Sequence, residues 1–235
     1  MNKLKTEPGK VGVPPQSGGE PKSNKEIRIL IVDDHSMIRQ GLRQILSGAF
    51  PKATFGEANS GNEALEQVSK NAWDVVLLDI TMPGKSGIDV LKQIVDAQPN
   101  LAVLVLSMHP EDQYAVRVLK SGAAGYITKN TASEEVITAV KKVLAGGKYV
   151  SASLAENLAA GLNAPTGKAP HEMLSDREYQ VMRLIALGRS VKEIAFDLSL
   201  SVKTISTYRT RIMEKTKLKT NSEIIRYAVH EKLVE

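Results

Sequence analysis

The stretch DVVLLDITMPG, residues 74–84, decides the fold of the first half of the chain. A short apolar run ends at an acidic residue, Asp79, and a proline–glycine turn follows it. A run of apolar residues without alternating polar ones is typical of a parallel strand that is buried on both faces. Because helices cover both faces of such a sheet, the stretch predicts an α/β architecture with an acidic group at the carboxyl end of a strand.

Further short apolar runs lie on either side of this stretch, separated by longer amphipathic segments. The segments carry apolar residues at helical spacing, as at Ile38, Leu42 and Ile45. This alternation predicts a doubly wound, five-stranded parallel sheet of the flavodoxin-like order 2-1-3-4-5 over residues 25–145. The other four predicted strands are residues 27–32, 53–58, 101–106 and 124–128.

The rest of the chain divides into a tail, a linker and a second domain. Residues 1–24 are rich in glycine and proline and nearly lack large apolar side chains, so we expect a disordered tail. Residues 146–169 start with a Gly-Gly pair and predict a linker with a short helix over residues 151–162. Residues 170–235 predict a small all-α domain. Its four helical patterns cover residues 176–186, 191–198, 202–216 and 221–230.

Composition excludes several classes of protein. The absence of cysteine excludes disulfides and thiolate metal sites. No apolar run approaches the roughly 18 to 20 residues that span a bilayer, and the first residues lack a signal-peptide pattern, so we expect a cytoplasmic protein without a membrane partner. The net charge is +5, and residues 170–235 carry 12 basic against nine acidic side chains. This bias is only a weak indication of nucleic-acid binding.

Polar side chains follow four of the predicted strands. Asp33 and Asp34 follow the first strand, Asp79 ends the third, and Ser107 and Lys129 follow the fourth and fifth. Because ligands bind at the carboxyl ends of parallel strands, we expect these groups to converge. Three carboxylates close together require a cation, and oxygen ligands suit Mg²⁺.

The motifs at these strand ends resemble those of a response-regulator receiver domain over about 120 residues. They are VDDH at 32–35, LDITMPG at 78–84 with Gly87, and GAAGYITK at 122–129. The resemblance implies that Asp79 accepts a phosphoryl group from a sensor histidine kinase or a small acyl phosphate. It also implies roles for other site residues. Asp33, Asp34 and the backbone carbonyl of Thr81 bind Mg²⁺ together with Asp79, Lys129 pairs with the phosphoryl oxygens, and Ser107 and Tyr126 form the switch.

Other interpretations of these residues remain open. Asp33 or Asp34 is by itself more often a helix cap than a metal ligand. Ser107 is also consistent with a turn residue at a strand end, and Tyr126 with an ordinary core residue. We interpret His35 as a solvated neighbour of the acidic pair and not as a metal ligand.

The C-terminal segment carries the pattern of a helix-turn-helix. Ser175 and Glu178 form a capping-box pair at the start of the first helix. The strings KEIA at 192–195 and LSLSVKTIS at 198–206 predict a helix, a short turn and a second helix that Ser201 caps. The segment resembles the LuxR-type DNA-binding domain, and the whole chain resembles the NarL/FixJ subfamily. Tyr208 departs from the histidine that many members carry.

One face of the predicted recognition helix packs inward and the other faces DNA. Ile205, Tyr208 and Ile212 share the inward face. By family position, Ser206, Thr207 and Thr210 would reach base edges in the major groove. Side chains expected to contact phosphates or bases are Lys203, Thr204, Arg209, Arg211 and Lys215.

The resemblance implies a phosphorylation-dependent transcriptional regulator that binds promoter DNA, and no enzyme beyond its own phosphoryl transfer and dephosphorylation. Expected partners are a sensor histidine kinase, double-stranded DNA, RNA polymerase and, on phosphorylation, a second copy of the chain. Family members often dimerise through the fourth helix (112–121), fifth strand and fifth helix (133–145). The first and fifth helices are the alternative.

Three other functions compete with this one. The first is a regulator that binds DNA independently of phosphorylation. The second is a phosphatase of the haloacid-dehalogenase kind. That family needs a second aspartate two residues after the first, whereas in this chain Asp79 is followed by Ile80 and Thr81. The third is an RNA-binding output, which usually depends on stacking aromatic residues that this segment lacks.

Overall fold

The computed structural model describes residues 26–108, 111–161 and 169–234. The tail predicted over residues 1–24 lies outside the described residues. Within them, none of the helices is long and apolar enough to cross a membrane.

A five-stranded parallel sheet of order β2-β1-β3-β4-β5 forms the first domain, which confirms the predicted fold class. Every strand begins one residue later than its predicted run, and the fourth extends to Ser107. The strands are β1 (Arg28–Val32), β2 (Thr54–Ala58), β3 (Val75–Asp79), β4 (Ala102–Ser107) and β5 (Gly125–Thr128).

Helices cover both faces of this sheet. In β1, Ile29 and Ile31 pack toward one core, while Leu30 and Val32 pack toward the other. All four side chains are buried, as expected for an inner strand of an α/β sheet. The helices are α1 (Ser36–Ala49), α2 (Gly61–Lys70), α3 (Gly87–Ala97), α4 (Glu111–Lys120) and α5 (Ser133–Leu144).

The C-terminal part is helical, and side chains cap the starts of its helices. The capping box of Ser175 and Glu178 is present, Ser190 and Glu193 form a second one, and Ser201 accepts from the N–H of Thr204. The elements are α6 (Ala152–Gly161), a 3₁₀ helix (Pro170–Met173), α7 (Asp176–Ala186), α8 (Val191–Asp197), α9 (Val202–Thr216) and α10 (Asn221–His230). The predicted bounds hold for α7, α9 and α10, and α8 ends one residue early.

The two domains contact each other through α3 and α4 on one side and the start of α7 on the other. Asp176 forms ion pairs with Lys92 at 2.6 Å and with Arg117 at 3.1 Å. The guanidinium of Arg117 also lies over the ring of Tyr179, whose edge meets Tyr114 at a centroid distance of 5.4 Å. The α4 surface of the sheet domain is therefore engaged within the chain.

Candidate phosphoacceptor site and DNA-binding helix

Asp79 lies at the end of the central strand, with its carboxylate nearly buried. One oxygen, Oδ1, accepts a hydrogen bond from the backbone N–H of Thr81 at 2.8 Å. The other, Oδ2, accepts one from Nζ of Lys129 at 2.7 Å. Burial raises the pKa of Asp79 above its ordinary value, against the opposing effect of Lys129. The carboxylate is thus held in place by β3, its following loop and the end of β5.

Asp33 is fully buried at the end of β1, close to the same lysine. Its Oδ2 lies 2.6 Å from Nζ of Lys129, and its Oδ1 accepts the backbone N–H of His35 at 2.9 Å. The N-cap residue of α1 is His35, which has no side-chain cap. The structure therefore offers no support for the interpretation of the two aspartates as helix caps only.

Lys129 connects two of the carboxylates. Burial lowers its pKa, but the neighbouring charges of Asp79 and Asp33 outweigh this effect, so the pKa of Lys129 lies above its ordinary value. The ammonium is therefore charged at neutral pH. With Asp34 included, three carboxylates against one ammonium leave two formal negative charges at the site.

The donor set fits a divalent cation. Ligand atoms of four residues lie within 4.8 Å of one another: Asp33, Asp34, His35 and Asp79. The single ammonium of Lys129 lies 2.6 Å from Asp33 Oδ2 and 2.7 Å from Asp79 Oδ2, so it serves two carboxylates, and Oδ1 of Asp34 is buried beside them. A bound cation would compensate for the burial of three carboxylates around one ammonium. The carbonyl of Thr81 remains a predicted ligand.

Arg39 supports the acidic loop, a role that was not expected from the sequence. Its Nη1 donates to the backbone carbonyl of Asp33 at 2.8 Å, and its Nε contacts Glu57 at 3.0 Å. The guanidinium therefore ties α1 and β2 to the residue that carries the buried carboxylate. The sequence does place an arginine one helical turn after the acidic pair, which is the signal that could have indicated this contact.

Ser107 and Tyr126 are both fully buried and hydrogen-bond to each other. Burial raises the pKa of Tyr126, and the hydrogen bond to Ser107 partly opposes this. The backbone carbonyl of Ser107 accepts the N–H of Lys129 at 2.8 Å. The predicted switch pair is therefore in contact and joined to the lysine of the site. Tyr126 is also a core residue, so its predicted place beside Ser107 and its interpretation as an ordinary core residue are compatible.

The outer face of α9 exposes the three residues predicted to read bases. The hydroxyls of Ser206, Thr207 and Thr210 each donate to the carbonyl four residues earlier, at 2.9, 3.0 and 3.2 Å. Because each hydroxyl proton is used within the helix, the oxygens remain as acceptors and the threonine methyls are available to apolar base edges. Lys203 and Arg211 are exposed beside them, and Thr204 is half-buried.

Two predicted DNA contacts already have partners within the domain. Nε of Arg209 donates to Oδ1 of Asn221 at 2.7 Å. Nζ of Lys215 lies 2.6 Å from Oε2 of Glu178, whose side chain is almost fully buried. Lys215 therefore stabilises the start of α7, and a phosphate would have to compete with that carboxylate. Ile205 and Ile212 are buried and Tyr208 half-buried, as the helical pattern indicated.

Comparison with known proteins matches both halves of the chain. The family described as response regulator receiver domain matches residues 29–141, and the luxR family of bacterial regulatory proteins matches residues 172–228. The chain belongs to the response regulators, in which a receiver domain is joined to a LuxR-type DNA-binding domain, and within them to the NarL/FixJ family.

Relatives match over nearly their whole length. The response regulator UvrY of Escherichia coli (strain K12) is 35% identical over 204 residues, which cover 86% of this chain and 94% of UvrY. The oxygen regulatory protein NreC of Staphylococcus carnosus is 36% identical over 216 residues, covering 89% of this chain and all of NreC. The structure of RcsB from Salmonella enterica serovar Typhimurium, bound to promoter rprA with the phosphomimetic BeF₃⁻, has a TM-score of 0.60 at 27% identity and covers 86% of this chain and 98% of that chain.

Proposed function

We propose that this chain is a transcriptional regulator whose binding to promoter DNA is controlled by phosphorylation of Asp79. The observation that carries the proposal is the position of the Asp79 carboxylate, buried at the carboxyl end of β3 and hydrogen-bonded to Lys129 beside two further aspartates. The same chain exposes the outer face of α9. The proposed phosphoacceptor and the proposed DNA-contacting surface thus occur in one chain.

Phosphoryl transfer would use the Asp79 carboxylate as nucleophile. One carboxylate oxygen forms a bond to phosphorus while the bond from phosphorus to the donor breaks, and the donor leaves with the bonding electrons. The donor is a phosphohistidine of a sensor kinase or a small acyl phosphate. The ammonium of Lys129 pairs with the phosphoryl oxygens, and Ser107 donates a hydrogen bond to them.

The residues that would hold Mg²⁺ are Asp33, Asp34, Asp79 and the carbonyl of Thr81. When bound, the ion neutralises charge between the carboxylates and the incoming phosphoryl group. Arg39 keeps the Asp33 backbone in position through its contact with the Asp33 carbonyl.

On DNA, two copies would act together. A single helix-turn-helix reads few base pairs, so tight binding takes two half-sites. Tyr114 and Arg117 of α4 already pack against α7 within the chain, whereas Met37 and Ile38 on α1 are exposed apolar residues. This arrangement favours the first and fifth helices as the dimer surface.

The proposal predicts that Asp79 is the only phosphorylation site. The chain is incubated with Mg²⁺ and a small acyl phosphate, and the phosphoryl group is located by mass spectrometry. We expect the wild type and Asp96→Asn, an exposed acid on α3, to be labelled equally, and Asp79→Asn and EDTA-treated protein to remain unlabelled. Label on another residue, or undiminished label in Asp79→Asn, would contradict the proposal and favour a regulator that works without phosphorylation.

A further inference from the structure

The outer face of α9 carries short hydroxyl side chains at the three positions predicted to read bases. Ser206, Thr207 and Thr210 are exposed, and each hydroxyl donates its single proton to the helix carbonyl four residues earlier. A hydroxyl whose proton is used in this way keeps only acceptor lone pairs for a group outside the helix. These three side chains therefore present acceptor oxygens and threonine methyls to a DNA groove.

The long basic side chains of α9 lie beside this surface or are bound elsewhere. Nε of Arg209 donates to a side chain at the start of α10, and Nζ of Lys215 pairs with a buried carboxylate of α7. Lys203 and Arg211 are exposed one helical turn before and one turn after Thr207. Their charges therefore flank the three short side chains, as the predicted phosphate contacts would require.

The four base pairs differ in what they present to such a surface. In the major groove, adenine presents an amino donor and thymine presents a methyl group, so one A·T pair matches both an acceptor oxygen and a side-chain methyl. Guanine presents two acceptors, which repel an acceptor oxygen, and a G·C pair has no methyl group. To donate to guanine, a hydroxyl of α9 would have to give up its hydrogen bond within the helix.

We propose that Ser206, Thr207 and Thr210 make the chain selective for A·T base pairs at the centre of each half-site. The hydroxyl oxygens accept from the amino group of adenine, and the threonine methyls contact the methyl group of thymine. Any contact with guanine falls to Lys203 or Arg211, at the ends of this face. The inference rests on the proposed function, in which α9 binds promoter DNA, and adds the class of base pair that it recognises.

Selection from a random duplex library identifies the preferred half-site. The full chain is used with and without beryllofluoride and Mg²⁺. The base pairs that the three residues read are those whose preference changes in Ser206→Ala, Thr207→Ala and Thr210→Ala. We expect A·T pairs at these positions under both conditions.

Base analogues in the selected duplex then test individual atoms by fluorescence anisotropy. Uracil in place of thymine removes the methyl group and should weaken binding about threefold to fivefold. Unsubstituted purine in place of adenine removes the amino donor and should weaken binding by a similar factor. A 7-deazaadenine removes only an acceptor of the base, for which the three side chains supply no donor, so the affinity should change less than about twofold.

Variants of one threonine separate the methyl group from the hydroxyl. Thr207→Ser keeps the hydroxyl and should bind the thymine and uracil duplexes equally at the base pair that Thr207 reads. Thr207→Val keeps an apolar surface and should lose the response to purine. Thr138→Ser on α5 is the control, because the exposed Thr138 hydroxyl makes the same bond to the carbonyl four residues earlier, far from α9 in the sequence. It should respond to every analogue as the wild type does.

Guanine at the base pairs that these residues read, no selected sequence, or equal affinity of the wild type for thymine and uracil duplexes would overturn the inference. Its failure is distinguishable from that of the proposed function. A phosphoryl mimic that raises affinity for half-sites with G·C centres would remove only the A·T selectivity. A·T selectivity without any response to the mimic would leave the base preference and remove control by phosphorylation.

Discussion

At the scale of single residues, Gly87 allows the start of α3 to approach the backbone of Asp79 and Ile80 closely. A Cβ atom at this position would lie 2.3 Å from Cα of Ile80 and 2.8 Å from the carbonyl oxygen of Asp79. Both are backbone atoms, which cannot move aside as a flexible side chain does. The glycine therefore matters for the position of Asp79 as well as for packing.

We expect Gly87→Ala to lower the free energy of unfolding by about 1–3 kcal/mol, because the added methyl group displaces the loop after β3. Gly41→Ala is the control. A Cβ there meets nothing within 4 Å, and the residue lies inside α1, so this change should stabilise by about 0.5–1 kcal/mol. Urea unfolding of both variants measures the difference. If Gly87→Ala were as stable as the wild type, the loop after β3 would adjust to the added methyl group at little cost.

At the scale of secondary-structure elements, charged side chains hold the start of α7. Glu178 accepts the N–H of Ser175 within the capping box and pairs with Lys215 of α9. Burial raises the pKa of Glu178, but Lys215 and Ser175 outweigh it, so the pKa lies below its ordinary value. A lowered carboxyl pKa stabilises the fold above the unfolded pKa near 4.5 and loses that effect as pH falls through the folded value.

Glu178→Gln should therefore cost about 2 kcal/mol at pH 7 and less at pH 4, which lies below the unfolded pKa of 4.5. Calorimetry of the full chain at both pH values follows the melting temperature of the C-terminal domain. Glu193→Gln removes the equivalent carboxylate from the exposed capping box of α8 and should cost less at pH 7. A loss of the same size at both pH values would mean that the charge of Glu178 contributes nothing.

Sequence patterns predicted the elements well because strands and helices depend on local spacing and on caps. The apolar runs located all five strands to within one residue, and Ser175 and Ser201 marked helix starts. The convergence of the strand-end carboxylates followed from the topology of parallel sheets. The contacts of Arg39 and Lys215 could not be predicted, because they depend on which long side chain reaches a carbonyl or carboxylate of another element.

At the scale of the whole molecule, the domains are joined by a small set of charged and aromatic contacts around Asp176. Its carboxylate pairs with Lys92 of α3 and Arg117 of α4. Arg117 also donates to the backbone carbonyls of Leu174 and His171. Nothing in the sequence predicted this contact, since it depends on the path of the linker. The contact between the domains leaves the outer face of α9 exposed.

Asp176→Asn should loosen this contact, because the amide keeps the shape of the side chain but loses its charge. We expect a larger radius of gyration by small-angle X-ray scattering than for the wild type. Asp197→Asn, at an exposed position of α8, should leave the radius unchanged. Identical scattering from all three proteins would show that the aromatic contacts suffice.

Control of DNA binding by phosphorylation is tested most directly by the affinity of the full chain for duplexes that it selects in vitro. Fluorescence anisotropy compares duplexes with one and with two half-sites, at about 0.15 M salt, with and without beryllofluoride and Mg²⁺. Because the outer face of α9 is already exposed, we expect the phosphoryl mimic to raise affinity for two half-sites by about 10² through dimerisation and to change affinity for one half-site less than twofold. Asp79→Asn should not respond. Unchanged affinity of the wild type for two half-sites in the presence of the mimic would contradict phosphorylation control.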